Sequence, residues 1–411
     1  MMKKYVIIGN GAASAACIEG IRSADNDGRI TVISEEKHEV YCRPLISYYL
    51  EGKTDLAHMR YRSEDFYERT GAEVLYGRKA VRIRAADQTV ELEDGTQIPY
   101  TELCVAAGSS PFVPPFAGLS SVKTKFSFMT LDDALALEKA LKPESRVLIV
   151  GAGLIGLKCA EGILKRVGSV TICDLADRVL SSILDADCAA LVQQHLEAQG
   201  IRFFLNDSVG HFEENTAYMT GGAVVPFDTL VLAVGVRANT ALLKDAGGEV
   251  GRGIVVDERM HTSADHIWAA GDCTEGMDSS SGRPRVIAIL PNAYMQGFTA
   301  GVNMGGGSAV FDQAIPMNSI GFFGMHVMTA GTCEGEMYEE RTADSLKRLF
   351  MKDDLLKGFI LIGGHERAGI YTSMIQEKTP LSSVNFDLLK QAATTAAFPA
   401  EIREKKFGGV V

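Results

Sequence analysis

The sequence predicts an α/β fold with two parallel-sheet domains of similar design and a small α+β domain at the C-terminal end. Three observations support this prediction: an internal repeat of strand, glycine-rich turn and helix; a second strand with an acidic residue after each copy; and a different pattern in the C-terminal region. The chain has 411 residues, of which 46% are hydrophobic. At about 150 residues per domain, this length predicts two to three domains with ample apolar material for their cores.

The internal repeat begins near the start of the chain. Residues 4–16 read KYVIIGNGAASAA, an apolar strand that leads into a Gly-x-Gly turn and then into helix-forming residues, and residues 146–158 read RVLIVGAGLIGLK. Glycines in such a turn allow the backbone to approach a pyrophosphate, which binds the amides at the helix N-terminus. We therefore predict two Rossmann-like dinucleotide-binding domains.

An acidic residue follows the second strand of each predicted domain. Glu35 ends the predicted strand that starts at Arg29, and Asp174 ends the predicted strand that starts at Ser169. A carboxylate near this position accepts hydrogen bonds from a ribose. Ser14 replaces the third glycine of the first copy and is small enough for close packing of strand and helix. Two glycine-rich turns, each followed by an acidic residue, are much more specific evidence for dinucleotide binding than a single glycine-rich turn.

Segments rich in proline and glycine mark the predicted domain boundaries. Residues 106–118 follow a predicted strand at 103–106 and are expected to cross between the two domains, and residues 230–239 form a matching strand and loop. Near the C-terminus, strand-like runs at 348–351 and 358–363 precede a predicted helix around 369–377. The predicted domains are 1–115 with 240–312, then 116–239, and finally 313–411.

Composition and charge exclude several classes of protein. The net charge of −11 argues against a dedicated nucleic-acid binder. The longest apolar run, Val147–Leu157, is too short to span a bilayer, and the first residues lead directly into a strand, so we expect no signal peptide and a cytoplasmic location. The eight cysteines and eight histidines are dispersed without C-x-x-C or H-x-x-H spacing, which predicts neither a disulfide framework nor a metal site.

Five motifs together resemble one protein family. They are the two glycine-rich turns, AAGSSP at 106–111, AVGVRAN at 233–239 and WAAGD at 268–272. On these motifs, residues 4–335 resemble the FAD-dependent pyridine-nucleotide oxidoreductases. Residues 41–47, YCRPLIS, resemble the branch with NADH:rubredoxin and ferredoxin reductases, NADH oxidases and nitrite-reductase flavin modules. The resemblance implies that the first domain binds FAD and the second binds NADH.

The resemblance implies an FAD site in the first domain. Glu35 would contact the adenosine ribose, and Asp272 would bind the ribityl chain. Arg43 and Pro44 would lie beside FAD, with Arg43 near the pyrophosphate. Residues 291–297 would begin a helix whose N-terminal amides stabilise negative charge on the reduced flavin. The residues assigned to FAD in this way are Gly9, Gly11, Ala12, Ala13, Ser14, Glu35, Arg43, Pro44, Ala107, Gly108, Gly271, Asp272, Asn292, Ala293 and Tyr294.

The resemblance also implies an NAD site in the second domain. Asp174 would favour NADH, because a carboxylate repels the 2′-phosphate of NADPH. Arg178 lies four residues later and could weaken that preference. The residues assigned to NAD are Gly151, Gly153, Leu154, Ile155, Gly156, Asp174 and Gly235.

Two departures from the family pattern bear on the chemistry. The C-x-x-x-x-C pair of disulfide reductases does not occur, and Pro44 stands where some oxidases carry a redox cysteine, so we expect Cys42 to be structural.

Relatives often carry lysine at the position of Tyr48 and glutamate at that of Lys158, near the flavin. Here tyrosine replaces that lysine and lysine replaces that glutamate. This predicts that the positive charge near the flavin has moved to the NADH domain, where Lys158 would act in catalysis. The alternative is a helix lysine that faces solvent.

The expected reaction is transfer of a hydride from NADH to FAD and of electrons onward, without a redox disulfide. Residues 341–411 carry a net charge of +3 and residues 1–340 a net charge of −14. This asymmetry favours an acidic iron–sulfur partner such as ferredoxin or rubredoxin, although ordinary charge scatter explains it equally well. The alternatives are an NADH oxidase that forms peroxide and an NADH-sensing flavoprotein resembling apoptosis-inducing factor. The sequence leaves open whether the protein forms a homodimer.

Overall fold

The computed structural model describes residues 2–364 and 367–407, and side chains up to residue 404. It divides into two compact units. The main unit comprises residues 1–276 and 285–311, and the C-terminal unit comprises residues 277–284 and 312–411. Both predicted dinucleotide-binding sheets therefore lie in the main unit.

The chain begins with the strand, turn and helix that the first copy of the repeat predicts. The apolar residues Tyr5–Ile8 are buried, because neighbouring parallel strands flank them and residues such as Cys17 and Val90 pack in the same hydrophobic cluster. The elements of this part are β1 (Lys4–Ile8), α1 (Ala12–Ala24), β2 (Arg29–Ser34), α2 (Ile46–Glu51), α3 (Phe66–Thr70), β3 (Ala72–Tyr76), β4 (Ala80–Arg84), β5 (Thr89–Leu92), β6 (Gln97–Pro99), β7 (Glu102–Val105) and β8 (Ser109–Pro111).

The second copy of the repeat folds in the same way. Its parallel sheet has the strand order β12-β11-β10-β16-β9, with the central strand carrying the glycine-rich turn. The elements are β9 (Lys125–Phe126), α4 (Leu131–Ala140), β10 (Arg146–Val150), α5 (Leu154–Ile163), β11 (Ser169–Asp174), α6 (Ala186–Ala198), β12 (Arg202–Leu205), β13 (Val209–Glu213), β14 (Thr216–Met219), β15 (Val224–Pro226), β16 (Thr229–Leu232) and β17 (Val236–Ala238).

The chain then returns to the first sheet and completes it. The strand order of this sheet is β19-β7-β1-β2-β3, and all of its strands are parallel. The two crossings between the sheets pair with each other as the antiparallel strands β8 and β17, which explains the matched segments in the sequence. The elements of this part are α7 (Ala241–Asp245), β18 (Ile254–Val255), β19 (Ile267–Ala269), β20 (Thr274–Asp278), β21 (Arg283–Arg285) and α8 (Leu290–Met304).

Helices α1 and α8 approach each other closely because glycines line their contact. A Cβ atom on Gly297 or Gly301 would lie 2.1 Å from a carbonyl oxygen of α1, and one on Gly20 would lie 2.3 Å from a carbonyl oxygen of α8. Such distances admit no side chain. The contact fixes the N-terminal end of α8 beside the first glycine-rich turn.

The C-terminal unit is an antiparallel sheet covered by helices. Its strand order is β22-β23-β26-β25-β24. The predicted strands and helix of this region are confirmed. Residues 277–284 belong to this unit rather than to the first domain as predicted, and the amide of Ser279 donates to the Ala314 carbonyl at 2.8 Å. The elements are β22 (Met317–Phe322), β23 (Met325–Gly331), β24 (Glu336–Arg341), β25 (Leu346–Lys352), β26 (Leu355–Ile362), α9 (Ala368–Gln376), α10 (Phe386–Gln391) and α11 (Ala400–Phe407).

Candidate cofactor sites

The first glycine-rich turn joins β1 to α1. Gly9 has a φ of +108°, and a Cβ atom there would lie 2.1 Å from the Ala106 carbonyl oxygen, so only glycine fits. Gly11 is the N-cap of α1, and a Cβ on it would meet no atom within 4 Å. Ala12 and Ala13 are the first two residues of the helix. Open space above a helix N-terminus is where this fold binds a pyrophosphate.

The two domains differ at the end of the second strand. In each domain the first glycine of the turn donates its amide hydrogen to that strand at 2.8 Å, to the carbonyl of Ile33 in the first domain and of Cys173 in the second. The next residue is therefore Ser34 in one domain and Asp174 in the other. This register corrects the predicted equivalence of Glu35 and Asp174, because Glu35 lies one position further along.

Glu35 lies just beyond β2 and is exposed. Its carboxylate forms an ion pair with Lys79 at 2.7 Å. The Ser34 hydroxyl donates to the carbonyl oxygen of Glu36 at 2.7 Å. Contact between Glu35 and the adenosine ribose of FAD remains a prediction.

Arg43 lies in a polar network that links the first domain to the second. Its guanidinium donates to Glu36 Oε1 at 2.6 Å and to the Met129 carbonyl at 2.8 Å. The Tyr41 hydroxyl donates to the other oxygen of Glu36 at 2.7 Å and accepts from the amide of Leu131 at 2.9 Å. Sequence reasoning did not identify Glu36, although it is the carboxylate that holds Arg43 in place.

Asp272 follows β19 and lies within electrostatic reach of Arg43. Burial raises the pKa of the Asp272 carboxyl, and the positive charge of Arg43 opposes that shift. Pro44 is exposed in the short turn of 3₁₀ helix that begins at Arg43. The structure therefore brings together two of the three charged residues that the family resemblance assigns to FAD, Arg43 and Asp272.

The turn before Asp272 is tied to helix α8. Gly271 has a φ of +84°, and a Cβ on it would lie 3.0 Å from the Ala13 Cβ and 3.6 Å from the Ala293 Cβ. Its amide donates to the side-chain oxygen of Gln296 at 2.8 Å, and the Thr274 hydroxyl donates to the same oxygen at 2.9 Å. Gln296 is thus a positioning residue that the sequence did not reveal.

Helix α8 begins one residue before Pro291, at the predicted position. Asn292 is buried and donates to the Ile287 carbonyl at 2.9 Å, whereas Tyr294 faces α1. The Tyr294 hydroxyl donates to Glu19 at 3.1 Å, and its ring lies 5.6 Å from the Arg62 guanidinium. A contact between Tyr294 and FAD remains a prediction, since this side chain already has partners.

Ala107 and Gly108 follow β7, next to the first glycine-rich turn. The Asn239 side chain donates to the Ala107 carbonyl at 2.8 Å, and the Asn239 amide donates to the Gly108 carbonyl at 3.0 Å. In the other crossing, Gly235 has a φ of +112° and accepts from the amide of Phe112 at 2.9 Å. The crossing segments therefore hold these three candidate residues near the ends of the parallel strands.

The second glycine-rich turn leaves no room for a side chain at two of its three glycines. Gly151 has a φ of +118°, and a Cβ on it would lie 2.2 Å from the Ala233 carbonyl oxygen. A Cβ on Gly156 would lie 2.0 Å from the Gly151 carbonyl oxygen, whereas one on Gly153 would meet no atom within 4 Å. Gly153 is the N-cap of α5, and Leu154 and Ile155 are its first two residues. The space above this helix N-terminus suits a second pyrophosphate.

Asp174 organises the loop beside this turn. Its Oδ2 accepts from the amide of Ala152 at 2.6 Å and its Oδ1 from that of Ala176 at 2.8 Å. Arg178 donates to Asp177 at 2.6 Å and to the Leu184 carbonyl at 3.2 Å. The guanidinium is therefore already engaged, which weakens the case that it would receive the 2′-phosphate of NADPH.

Asp174→Ala should narrow the preference for NADH over NADPH at least tenfold. The change removes a negative charge from the position near the 2′-phosphate, and like charges repel strongly where solvent is partly excluded. The measurement is the ratio of kcat/KM for the two nucleotides with a dye as acceptor. Glu197→Ala, an exposed substitution on α6 of the same domain, should leave the ratio unchanged. A wild type that prefers NADPH would show that Asp174 has another role.

Lys158 lies on the second turn of α5 and is mostly buried. Its side chain is 13% exposed and forms an ion pair with Glu161, whose side chain is 4% exposed. The ammonium nitrogen lies 4.5 Å from the centre of the Tyr48 ring, on α2. The alternative of a lysine that faces solvent is therefore wrong. A direct role in catalysis remains a prediction.

The cysteines show no redox pair. Cys42 is half-buried, and burial raises the pKa of its thiol, which disfavours the reactive thiolate. None of the eight cysteines, all of which lie in the described part of the chain, forms a disulfide bond. Among residues 2–364 and 367–404, no group of three or more histidine, cysteine, aspartate or glutamate side chains could hold a metal ion. No helix in the described part of the chain is long and apolar enough to cross a membrane.

The residues at the first site suit a bound FAD. The Ser14 hydroxyl and the Asn292 Oδ1 atom are buried, and neither has a hydrogen-bond partner among the described residues. Buried polar atoms of this kind require a partner. Together with the open N-terminus at Gly11 and the charges of Arg43 and Asp272, they match a ligand with phosphate and hydroxyl groups.

Comparisons with known proteins agree with this arrangement. A family model described as pyridine nucleotide-disulphide oxidoreductase matches residues 3–297. The chain is 32% identical over 394 residues to the NADH-dependent phenylglyoxylate dehydrogenase subunit epsilon of Aromatoleum evansii, covering 92% of this chain and 93% of that protein. It is 32% identical over 320 residues to an NADH oxidase of Methanocaldococcus jannaschii, covering 75% and 71%. It spans 48% and 50% of the length of two further curated relatives.

A solved structure shares the fold over almost the whole chain. The covalent complex of putidaredoxin reductase with putidaredoxin contains a chain that matches with a TM-score of 0.86 and 24% identity. The match covers 94% of this chain and 95% of the other.

Proposed function

Because the chain belongs to the pyridine nucleotide-disulphide oxidoreductase family, we propose that it is an FAD-dependent NADH oxidoreductase that delivers electrons to a redox protein. FAD and NAD(H) are its cofactors. Bound FAD would accept a hydride from NADH and release electrons one or two at a time to the next acceptor. The residues of the chain bind both nucleotides, orient them and shape the electrostatic field around the flavin.

The observation that carries this proposal is the contact between the two nucleotide-binding domains. Helix α2, which follows the Arg43 turn, packs on α5, which starts at the second glycine-rich turn. A Cβ on Gly162 of α5 would lie 2.8 Å from the Ser47 carbonyl oxygen and 3.2 Å from the Leu50 Cβ. This close approach brings α2, which follows the Arg43 turn, against α5, which begins at the second glycine-rich turn, and it supports direct transfer between nucleotides bound in the two domains.

The acceptor is proposed to be an iron–sulfur protein of the ferredoxin or rubredoxin type. The similarity to a reductase solved in complex with putidaredoxin supports a protein acceptor. The similarity to an epsilon subunit over nearly the full length supports a variant of this proposal, in which the acceptor is another subunit of a larger complex. The positive net charge of residues 341–411 favours an acidic partner.

A second candidate function is NADH oxidase, with oxygen as the acceptor. It is favoured by the similarity to the NADH oxidase of Methanocaldococcus jannaschii. The two candidates share the reductive half of the reaction and differ only in how the reduced flavin is reoxidised.

Stopped-flow reoxidation of the NADH-reduced protein separates the two candidates. The reduced protein is mixed in parallel with ferredoxin, rubredoxin and oxygen, each at the same concentration, and the return of the oxidised flavin spectrum is followed. We expect at least one of the two iron–sulfur proteins to reoxidise the flavin at least tenfold faster than oxygen. Fastest reoxidation by oxygen, with peroxide as the product, would support the oxidase instead.

Cys42→Ser should retain most of the NADH-dependent reduction of a dye. The thiol has a raised pKa and no cysteine partner, so the proposed transfer does not use it. The measurement compares kcat and FAD content with those of the wild type, and Cys333→Ser, at an exposed cysteine, is the matched control. Loss of turnover in Cys42→Ser with FAD retained would contradict a mechanism without a redox thiol.

A further inference from the structure

The side chain between the first two glycines of the first turn is held from outside the turn. Asn10 stands between Gly9 and Gly11, and its Oδ1 accepts from the Tyr67 hydroxyl at 2.7 Å. Its Nδ2 donates to the carbonyl oxygen of His38 at 3.4 Å. Two segments that are distant in the sequence therefore fix the side chain of this Gly-x-Gly segment.

Tyr67 is itself anchored in the first domain. It lies on α3 next to Phe66, which is 1% exposed and belongs to the hydrophobic core, and the two rings meet edge to face with their centres 5.2 Å apart. Burial raises the pKa of the Tyr67 phenol, so the hydroxyl stays protonated and can donate its hydrogen bond. This bond links the packed helix α3 to the glycine-rich turn.

The second glycine-rich turn is braced in a different way. Ala152 takes the place of Asn10 there, and its amide donates to Asp174 Oδ2 at 2.6 Å. The first domain has Ser34 at the register position of Asp174, and the Ser34 hydroxyl donates to the carbonyl oxygen of Glu36 at 2.7 Å. The Asn10 side chain thus supplies in the first turn a constraint that the Asp174 carboxylate supplies in the second.

We propose that Tyr67 is a positioning residue for FAD: it fixes Asn10, and through Asn10 it holds the backbone amides of the first glycine-rich turn in the conformation that receives the pyrophosphate. This inference rests on the proposed function, because it assumes that FAD occupies this turn. Glycine gives a turn more conformational freedom than other residues do, and a bound ligand removes that freedom. A turn that is fixed before binding loses less and therefore binds its ligand more tightly.

The test is the dissociation constant of FAD for the full-length chain, measured by flavin fluorescence after the cofactor has been removed and added back. Tyr67→Phe removes only the hydroxyl, and we expect it to raise this constant about fivefold. Asn10→Ala removes both hydrogen bonds and should raise it at least about tenfold. Its backbone should tolerate the change, since the equivalent residue of the second turn is Ala152. Tyr218→Phe, which removes a hydroxyl bonded to Glu213 in the second domain, is the matched control and should stay within about twofold.

The double variant shows whether the Tyr67 hydroxyl acts through Asn10. In the Asn10→Ala background, Tyr67→Phe should change the dissociation constant of FAD by less than about twofold, because the hydroxyl has already lost its acceptor. The affinity for NAD⁺, measured on protein saturated with FAD, should stay within about twofold of the wild type in all three variants. A merely structural role would weaken both nucleotides together. If Asn10→Ala does not fold, Asn10→Ser replaces it with the same expectations, since its shorter side chain also leaves the Tyr67 hydroxyl without an acceptor.

Three results would overturn the inference. They are an unchanged affinity for FAD in Tyr67→Phe, single effects that multiply in the double variant, and an equal loss of affinity for FAD and NAD⁺. Each of them would leave the proposed function standing. A wild type that binds FAD but is not reduced by NADH would refute the proposed function and leave this test in force, whereas a wild type that binds no FAD would refute both.

Discussion

We expect the Asp272→Ala variant to lose most of its FAD during purification. Asp272 lies close to Arg43, and burial raises the pKa of its carboxyl. A buried carboxylate needs neighbouring groups that stabilise its negative charge. In the proposed site it accepts a hydrogen bond from the ribityl chain of FAD. A hydrogen bond to a charged group contributes about 1.5–3 kcal/mol, which corresponds to roughly 10- to 150-fold in affinity.

The measurement is the ratio of flavin to protein after gel filtration, together with the affinity for added FAD. Asp265→Ala, which removes an exposed carboxylate from the same domain, should keep the wild-type ratio. Asp272→Asn keeps the shape and should lose less FAD than Asp272→Ala. Full FAD occupancy in Asp272→Ala would show that this residue does not hold the cofactor.

Gly156→Val should abolish reduction by NADH while FAD remains bound. A Cβ at this position would lie 2.0 Å from the carbonyl oxygen of Gly151. This oxygen belongs to the backbone, which cannot move aside as the end of a flexible side chain can. The substitution would therefore open the second glycine-rich turn and displace the amides that receive the pyrophosphate of NADH. The affinity for NAD⁺ should fall at least a hundredfold.

Reduction by dithionite distinguishes loss of the NAD site from general damage. Gly156→Val should still be reduced by dithionite and show the flavin spectrum of the wild type. Gly210→Ala provides a control in the same domain, because a Cβ there would lie 3.3 Å from its nearest neighbour, the Tyr218 carbonyl oxygen. Normal NADH kinetics in Gly156→Val would show that the nucleotide binds elsewhere.

The architecture was predictable because the parallel strands are buried on both faces. A strand of that kind reads as a continuous apolar run, and β1 and β10 each end in a glycine-rich turn whose first glycine leaves no room for a side chain. Two strands near the C-terminus were predictable for a related reason, since the runs at 348–351 and 358–363 are mostly apolar. These features depend on local sequence alone.

The equivalence of Glu35 and Asp174 shows where sequence reasoning stops. The number of residues between a glycine-rich turn and the end of the second strand depends on the length of the helix and loop between them. The first domain has additional residues there, so the backbone register aligns Ser34, and not Glu35, with Asp174. A register is set by hydrogen bonds between strands, which the sequence does not record.

The polar networks could not be predicted for a similar reason. Glu36 holds Arg43, Gln296 holds Gly271, and Glu161 holds Lys158, and each of these contacts depends on which way a side chain points in the folded chain. Lys158 and Glu161 are close in sequence, and their spacing on one helix face was a visible signal. Their burial came only from the packing of α2 on α5.

Anaerobic titration of the purified protein with NADH tests the central proposal most directly. The oxidised flavin absorbance should disappear after about one equivalent of NADH per bound FAD, without added thiol, and NADPH should act much more slowly. Admitting an iron–sulfur acceptor should restore the oxidised spectrum. A flavin that dithionite reduces but excess NADH does not would contradict transfer between the two sites.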